Sequence, residues 1–449
     1  MLKNTAIRLT ILAAALFAAL PAHELRAQSS SSILSDISFS PYSLYGLGDP
    51  VRQGTTYSLS MGGIGIGDRN VRYINLLNPA ALPAREAKSF MMDFGVENRN
   101  TIYQGNAASS LSPTATGVLK SASNTTTVHH IVASFPIESH SAFKVGIMPY
   151  SSVAYNFRAD ETSDELISEM GDIQYYKEGK GGLYQAFIGA GVTLWDRVSL
   201  GADFNYFFGK IDRSSSAYFT TNDTYRTLLT GTLYHVSCFG GKFGFQYTQP
   251  IGNASAVIVG ATYALPMMMR GNQTRYAYGE TLTSTDSIVN DRVRMTDYSV
   301  PGELGTGITY HYSDRVTVGF DYVRQDWRGR KFEGTPGIDF EARVAQSFRA
   351  GLEITPNRYD IRYFMRRLSY RIGAYHEQSY IALNGHQVTT TGFTLGIGIP
   401  VYRYYNSINV GFDFGQRGTL NDNLVRERYF LVTVSFNLHD IWFIKPLYN

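Results

Sequence analysis

Apolar and polar residues alternate one by one in many stretches of this chain, and this period of two restricts its fold more than any other feature. In residues 408–415 one phase carries Ile, Val, Phe and Phe, whereas the other carries Asn, Gly, Asp and Gly. Residues 199–208, 392–399 and 430–438 alternate in the same way. Because successive side chains of a β-strand point to opposite faces, each stretch predicts a strand with one apolar face. The chain is therefore predicted to be all-β.

The connections between strands distinguish a membrane barrel from a soluble β-sandwich, which also alternates but turns its apolar face inward. Short turns alternate with longer polar segments along the chain, as expected when one barrel end is periplasmic and the other extracellular. The short turns are 138–141, 195–197, 250–253, 313–315 and 401–406, and the longer segments are 104–125, 159–181, 210–230, 271–297 and 328–341. Two connections depart from this order, since 355–367 is long for a periplasmic turn and 384–387 is short for an extracellular loop.

The composition also favours a membrane barrel. The chain contains 32 Tyr and 26 Phe, and charged residues make up only 17%, below the roughly 25% of ordinary soluble domains. Aromatic girdles at both membrane interfaces account for such a composition. A formal net charge of +3 gives no indication of a nucleic-acid partner, and Cys238, the single cysteine, excludes an internal disulfide.

The alternating stretches predict a membrane-spanning antiparallel β-barrel of about fourteen strands, an even number that places both termini in the periplasm. The predicted strands are 89–103, 124–136, 142–158, 183–194, 198–209, 231–248, 254–270, 299–312, 315–327, 342–354, 368–383, 388–400, 406–416 and 427–438.

Residues 1–27 have the features of a secretory signal peptide. Lys3 and Arg8 form a basic start, residues 9–20 are an apolar core, and cleavage is expected after Ala27 or Ala22. The core is shorter than the ~18 apolar residues of a membrane-spanning helix. The predicted layout is a signal peptide at 1–27, a leader and hatch at 28–88, the barrel at 89–439 and a periplasmic tail at 440–449.

The stretch 42–80 is rich in glycine and precedes the first predicted strand. Glycine allows a backbone to pass close to a neighbouring wall, which suits a segment threaded through a confined space. Asn78-Pro79 is a turn signal. The residues alone leave two interpretations open, a flexible periplasmic linker or a segment inside the barrel.

The order YGLG, SMGG and NPA before a first strand resembles the N-terminal hatch of the FadL/TodX family of outer-membrane transport proteins. The resemblance continues more loosely through residues 183–194, 201–209 and 440–443. It implies a 14-stranded barrel with a hatch in the lumen, and passive uptake of a hydrophobic small molecule such as a long-chain fatty acid, with no catalytic residue, metal or cofactor. The hatch residues it implies are Gly46, Gly48, Met61, Gly62, Gly63, Asn78, Pro79 and Ala80.

Pro149 lies in the third predicted strand. Proline removes a ladder hydrogen bond and is confined to edges or bulges of sheets, so it predicts a bulge or kink in the barrel wall. The resemblance implies that a kink in the third strand opens a lateral gap from the lumen to the bilayer. The alternative is that Pro149 marks the place where the strand leaves the membrane.

Two arginines are candidate contacts for the carboxylate of a fatty ligand. Arg343 and Arg349 lie on the polar phase of one predicted strand. The alternative is that they pair with lumen acids such as Glu341 or Glu353. A further basic run, formed by residues 362, 366, 367 and 371, is predicted to be a solvated periplasmic rim.

The histidines give little indication of chemistry. His129 and His130 are neighbours on a predicted strand, so we expect them to point to opposite faces and not to share a metal. His235 and Ser237 share a face and could form a base and a nucleophile, as in outer-membrane phospholipases. No orienting partner or oxyanion site accompanies them, and the alternative is a pair of lumen-facing or loop-base polar residues.

The leading hypothesis is therefore an outer-membrane channel, expected to be a monomer that contacts membrane lipid and lipopolysaccharide. One alternative is a FadL-fold barrel that acts in type IX-like protein secretion. Another is a structural or adhesive barrel whose loops bind partners. An enzyme is the weakest alternative.

Overall fold

The computed structural model describes residues 40–84, 89–106, 118–161, 163–219, 225–280, 285–295, 298–330, 339–401, 405–421 and 424–441. The predicted signal peptide, leader residues 28–39 and tail residues 442–449 lie outside the described residues.

Across these described ranges, 14 antiparallel strands form the barrel wall. They are β1 (Ser89–Asn106), β2 (Val118–Glu138), β3 (Ser141–Ser152), β4 (Ile173–Leu194), β5 (Val198–Phe219), β6 (Thr227–Ile251), β7 (Ser255–Ala264), β8 (Glu303–Tyr312), β9 (Val316–Asp326), β10 (Val344–Ile354), β11 (Ser369–Leu383), β12 (His386–Pro400), β13 (Ser407–Arg417) and β14 (Arg426–Ile441). Each strand pairs with the next, and β1 pairs with β14 from Ser89↔Ile441 to Gln104↔Arg426, which closes the sheet. The predicted fold class is confirmed.

The remaining elements are short. Helices cover Thr56–Leu59 and Asp164–Met170, and 3-10 helices cover Pro41–Leu44, Pro79–Ala81 and Phe364–Arg367. The short strands are Asp49–Pro50, Tyr155–Asp160, Met267–Met268, Gly271–Glu280, Thr285–Arg294, Ser299–Val300 and Phe340–Ala342. No helix in the described part of the chain is long and apolar enough to cross a membrane.

The apolar phase of the strands faces outward. On β5, Phe204 is 55% exposed whereas its neighbours Asp203 and Asn205 are buried. On β14, Leu438 is 55% exposed and Asn437 is buried. This arrangement is the reverse of a soluble sandwich and is the one that lipid requires, because the outer band of a membrane barrel must be apolar.

The strands extend beyond the membrane at the end opposite to the short turns. The longest, β6, has 25 residues, whereas about 9–11 suffice to span a bilayer. The predicted loops 159–181 and 210–230 are largely strand, since pairing of β4 with β5 continues to Ile173↔Phe219. The hairpin 271–294 continues this sheet by pairing with residues 227–236 of β6. Period-two analysis missed these extensions because their outward faces lie beyond the lipid, and residues 285–294 are exposed on both faces, so no regular apolar phase marks them.

The strand order predicts which residues face the cell exterior. Ile288 in the hairpin and Asn253 in the turn between β6 and β7 lie at opposite barrel ends, and both are exposed. We expect Ile288→Cys to react with a membrane-impermeant maleimide on intact cells, and Asn253→Cys to react only after the outer membrane is permeabilised. The native Cys238 is buried, so we expect it not to react with the maleimide. Labelling of Asn253→Cys on intact cells would contradict the orientation.

Candidate functional site

Residues 40–84, named here the lumen segment, pass through the barrel interior. Their contacts run round the wall: Pro79 meets β4 and β5, Ile66 meets β7 and β8, and Met61 meets β10 and β11. Contacts with strands on all these sides place the segment in the lumen, as the resemblance implied. Whether it controls passage stays a prediction.

Glycines of the wall allow the lumen segment to pack backbone against backbone. A Cβ added at Gly373 of β11 would lie 2.1 Å from the backbone N of Gly62, and one at Gly260 of β7 would lie 2.0 Å from the carbonyl oxygen of Ile66. Such contacts are impossible for any other residue type. The wall glycines with segment atoms within 3.0 Å of such a Cβ are Gly191, Gly201, Gly244, Gly260, Gly305, Gly307, Gly319, Gly351, Gly373, Gly396.

The glycines predicted for the hatch adopt backbone angles that glycine favours. Gly62 has a φ of 72° and Gly63 one of 85°. At Gly62 a Cβ would lie 2.7 Å from the carbonyl oxygen of Ala350. Gly46 and Gly48 also have positive φ angles. Glycine is therefore required in the SMGG sequence both by the positive φ angles and, at Gly62, by the lack of room for a Cβ.

Asn78 organises the end of the lumen segment. Its Oδ1 accepts a hydrogen bond from the amide of Ala80 at 3.0 Å and caps the 3-10 helix that Pro79 begins. Its Nδ2 donates to the carbonyl oxygens of Ile66 at 2.8 Å and of Phe245 at 3.1 Å. The NPA motif thus ties two parts of the segment to each other and to β6.

Asp321 of β9 binds the middle of the lumen segment. Its Oδ2 accepts hydrogen bonds from the amides of Gly65 at 2.7 Å and Ile66 at 2.8 Å, and the side chain is buried. A carboxylate that accepts backbone amides in a dry environment makes strong, charge-assisted hydrogen bonds. This contact satisfies two amides that belong to neither a helix nor a strand.

A buried ion pair between β10 and β11 also contacts the segment. Arg371 Nε donates to Glu353 Oε2 at 2.7 Å, and Arg371 Nη2 donates to the hydroxyl of Tyr73 at 2.8 Å. Its guanidinium also lies over the rings of Tyr57 and Tyr73. The prediction of a solvated rim is therefore wrong for Arg371, because its inward phase on β11 carries it into the lumen.

The wall is interrupted between β2 and β3. The two strands pair only from Glu138↔Ser141 to Ile131↔Ile147, and in the described part of the chain residues 118–130 of β2 pair with β1 alone. On its other side β3 stays paired with β4, with a register shift between Pro149 and Ser151. The wall thus has a gap beside Pro149.

The lumen segment fills this gap. Asp49 pairs with Ser152, Pro50 pairs with Ser151, and the amide of Val51 donates to the carbonyl oxygen of Tyr150 at 2.9 Å. Two ion pairs hold residues 49–52 in place. They are Arg417 Nη1 with Asp49 Oδ1 at 2.6 Å and Arg52 Nη1 with Asp413 Oδ2 at 2.9 Å.

Above the gap, at the end opposite to the short turns, the lumen holds a large buried apolar cluster. Tyr150 packs edge-on against Phe207 with ring centroids 4.7 Å apart, and Trp327 stacks on Tyr380 at 4.3 Å. An apolar interior is unusual, since barrel interiors are ordinarily polar. The cluster, named here the apolar lumen cluster, contains Tyr42, Tyr45, Leu47, Val153, Tyr155, Leu183, Phe207, Ile211, Tyr234, Val236, Cys238, Met269, Met295, Val300, Trp327, Tyr380, Ile381, Leu383, Val388 and Leu424.

Two small cavities lie beside the lumen segment. One, of about 30 Å³, is lined by polar groups that include Arg52, Glu97, His129 and Asp413. The other, near Tyr57, has about 10 Å³. Each has room for about one water molecule, whereas ligand pockets measure about 300–1,000 Å³. A ligand of that size therefore does not fit in either cavity unless the segment moves.

The structure does not bring Arg343 and Arg349 together. Arg343 pairs with Glu341 at 2.7 Å on the surface, and Arg349 Nη2 pairs with Glu377 at 3.1 Å in the lumen. Six residues along a strand separate them by about 20 Å. They cannot bind one carboxylate jointly, and each has a protein acid as partner, as the alternative interpretation expected.

The expectation that His129 and His130 point to opposite faces is wrong. Both are buried, and their Nδ1 atoms lie 3.0 Å apart. A bulge causes this, because Gly95 pairs with His130 and Val96 pairs with Val128, which leaves His129 as the extra residue. In the described ranges no cluster of three or more His, Cys, Asp or Glu side chains is arranged to hold a metal ion.

His235 and Ser237 do not form a catalytic pair in this structure. Ser237 is exposed on the outer face of β6, and its hydroxyl lies 3.0 Å from the hydroxyl of Tyr206. The lumen face of this part of β6 carries Tyr234, Val236 and Cys238 instead. Of the two placements in the alternative interpretation, the lumen-facing one is therefore wrong, and polar residues at the base of a loop remain.

Substitution of one wall glycine tests the backbone packing. We expect Gly373→Ala to destabilise the barrel by about 1–3 kcal/mol, the usual cost of overpacking, because the methyl group meets the backbone of Gly62. Gly105→Ala is the matched control, since its nearest neighbour would be 3.9 Å away. Heat-modifiability on gels and trypsin cleavage within residues 40–84 measure the effect. Equal behaviour of the two variants would show that the contact does not exist.

A second substitution tests the buried ion pair. Glu353→Gln leaves the Arg371 charge without its carboxylate, and we expect a loss of about 3–5 kcal/mol in the free energy of unfolding. The control is Glu341→Gln in the exposed pair with Arg343, for which about 0–1 kcal/mol is expected. Urea unfolding in lipid vesicles compares the two. A loss in Glu341→Gln as large as that in Glu353→Gln would contradict this assignment.

Several solved structures share this fold. CymD, a monoaromatic hydrocarbon channel, has a TM-score of 0.55 at 15% identity. The superposition covers 86% of this chain and 97% of the CymD chain. The toluene transporter TodX of P. putida has a TM-score of 0.57 at 14% identity, with coverage of 88% and 100%. A FadL homologue of Pseudomonas aeruginosa has a TM-score of 0.54 at 10% identity, with coverage of 88% and 100%. These similarities establish the FadL/TodX-like fold.

Family membership rests on the sequence as a whole. No curated protein matches the chain. The family model described as BamG matches residues 10–449, which include the lumen segment and every strand of the wall. The chain therefore belongs to the BamG family.

Proposed function

We propose that this protein lets a hydrophobic small molecule pass from the cell exterior through the apolar lumen cluster and into the outer membrane beside Pro149. The observation that carries the proposal is the continuity between the cluster and the gap in the wall. Tyr150 of β3 packs against the cluster, and Val153, which follows β3, is one of its members. The two residues flank Ser151 and Ser152, which pair with the lumen segment. CymD is described as a monoaromatic hydrocarbon channel and TodX as a toluene transporter, which supports a hydrophobic ligand.

Physical chemistry favours a lateral exit for such a solute. An apolar molecule that moves directly from one apolar environment to another avoids contact with water. It thereby avoids a free-energy cost of roughly 25 cal/mol per Å² of apolar surface exposed. Displacement of residues 49–52 would open the gap. That step breaks the pairing with Ser151 and Ser152 and the ion pair of Asp49 with Arg417. The barrel is therefore closed until a ligand stabilises the displaced segment.

A disulfide across the gap tests the route. Pro50 and Ser151 are paired residues, and paired residues in a sheet lie within disulfide distance. We expect Pro50→Cys/Ser151→Cys to lose uptake of labelled toluene and oleate when oxidised and to regain it on reduction. The control Ala277→Cys/Val289→Cys links paired residues of the extracellular hairpin. Uptake that persists in the oxidised gap variant would exclude this exit.

We further propose that the ligand carries a carboxylate, as a long-chain fatty acid does, and that Arg213 binds it. Arg213 Nη2 donates to the carbonyl oxygen of Gly46 at 2.6 Å, and its guanidinium lies over the ring of Tyr234 in the apolar lumen cluster. Its Nε is buried without a hydrogen-bond partner, and no ion pair joins it to an acid of the described residues. Arg213 thus replaces Arg343 and Arg349 as the candidate.

One variant tests whether the ligand carries a carboxylate that Arg213 binds. We expect Arg213→Gln to lower oleate uptake at least tenfold, since a charge-assisted hydrogen bond contributes about 1.5–3 kcal/mol, and to leave toluene uptake unchanged. Arg343→Gln, on the surface, is the control and should change neither. Equal losses for both solutes would show that Arg213 supports the structure rather than the carboxylate.

A second candidate function is a structural or secretion-related barrel that transports no small molecule. The close packing of the lumen segment against the wall favours it, since no Cβ fits between Gly373 and the backbone of Gly62. This candidate predicts no uptake of either solute by the unmodified protein, oxidised or reduced. The same uptake assay therefore separates the two functions.

A further inference from the structure

One periplasmic turn differs from all others that the structure describes. The turn between β10 and β11 covers residues 355–368, whereas β8 and β9 are joined by residues 313–315. Its conformation is fixed by its own hydrogen bonds. The amide of Asn357 donates to the carbonyl oxygen of Arg366 at 2.8 Å, and the Asp360 carboxylate accepts the amides of Arg362 and Tyr363.

The base of this turn is anchored to the barrel. Arg358 is buried and donates to the hydroxyl of Thr355 at 3.3 Å. The hydroxyl of Tyr359 reaches Asp314 of the neighbouring turn at 3.4 Å. The amide of Tyr363 is the main cause that holds the pKa of Asp360 below its ordinary value, so this carboxylate stays charged. The turn therefore has a defined conformation that its own hydrogen bonds and its contacts with the barrel stabilise.

The tip of the turn exposes apolar and cationic side chains together. Ile361 is 97% exposed and Met365 is 62% exposed. Tyr363 and Phe364 are also exposed, and arginine guanidinium groups lie over their rings. The six consecutive exposed residues from 361 to 366 contain four apolar or aromatic side chains and two arginines. Such a run costs free energy in water and indicates a binding surface.

The turn lies at the lipid-facing side of the barrel end. Tyr370 is the first outward residue of β11, and its hydroxyl donates to the carbonyl oxygen of Met365 at 3.1 Å. Tyr312, outward at the same end of β8, and Trp195, in another turn at that end, are also exposed. Exposed tyrosines and tryptophans at one height mark the membrane interface. The tip therefore extends from the interfacial level.

We infer that residues 359–367 bind the periplasmic leaflet of the outer membrane, with Ile361, Phe364 and Met365 in the headgroup region and the arginines on lipid phosphates. Interfacial segments combine apolar residues on one side with Lys or Arg on the other. Arginine suits phosphate because its planar guanidinium donates several hydrogen bonds at once. The turn then anchors this end of the barrel to the membrane, and this role is independent of any transported compound.

A fluorescent reporter tests the contact. Ile361→Cys, labelled with an environment-sensitive NBD group, is placed with the full chain in vesicles of phosphatidylcholine with or without phosphatidylglycerol. We expect blue-shifted emission and quenching by a lipid-attached nitroxide, both stronger with phosphatidylglycerol. Ile288→Cys in the extracellular hairpin is the matched control, which should stay accessible to iodide in water. Equal access of iodide to both labels would overturn the inference, and it is the result expected if the tip docks a periplasmic protein instead.

Charge variants test the arginines. In the labelled protein, Arg362→Gln/Arg366→Gln should weaken the dependence on phosphatidylglycerol by about fivefold for each arginine removed. Arg292→Gln/Arg294→Gln removes the same charge from the exposed hairpin and should change nothing. Insertion that is equal in both vesicle types and in both double variants would overturn the assignment of phosphate to these arginines.

Discussion

Direct contact between the backbone of the lumen segment and the glycines of the wall is the constraint on which the rest of this structure depends. The carbonyl oxygen of Ile66 and the amide of Gly62 come so close to β7 and β11 that no Cβ fits between them. Once the backbones touch, water is excluded, and every polar group of the segment needs a protein partner. Asp321 supplies a partner for the amide of Gly65, and the Asn78 side chain supplies one for the carbonyl oxygen of Ile66.

Exclusion of water also explains the buried charges. Arg371 and Glu353 satisfy each other at the end with short turns, and Arg52 and Asp413 do so beside the gap. Because an unpaired buried charge is expensive, the pair of Arg52 with Asp413 favours a single position of the segment over displaced ones. The apolar lumen cluster consists of uncharged side chains, so no ion pair joins its members. It can therefore admit an apolar guest at lower cost than the polar half of the lumen can.

Much of this architecture is predictable from the sequence. Period two located all the strands that lipid contacts, since lipid enforces the alternation of β5 and β14. It failed where that constraint ends, in the water-exposed extensions and at the bulge that turns His129 inward. The glycines of the wall were visible on the polar phase, as Gly396 is, but their role depends on a partner segment far away in the chain. The gap beside Pro149 was expected from a residue that cannot complete a ladder, whereas its filling by Asp49 and Pro50 requires the three-dimensional pairing.

We therefore expect the lumen segment to close two routes, one along the barrel axis and one through the wall, and its removal should open the first. Single-channel conductance in planar bilayers, compared between the full chain and a variant without residues 42–80 whose folding is verified by heat-modifiability, tests this claim most directly. The structure predicts a low conductance for the full chain and a large, steady increase for the deletion variant. An equally low conductance in a folded deletion variant would contradict it, because the segment would then lie outside the path of ions.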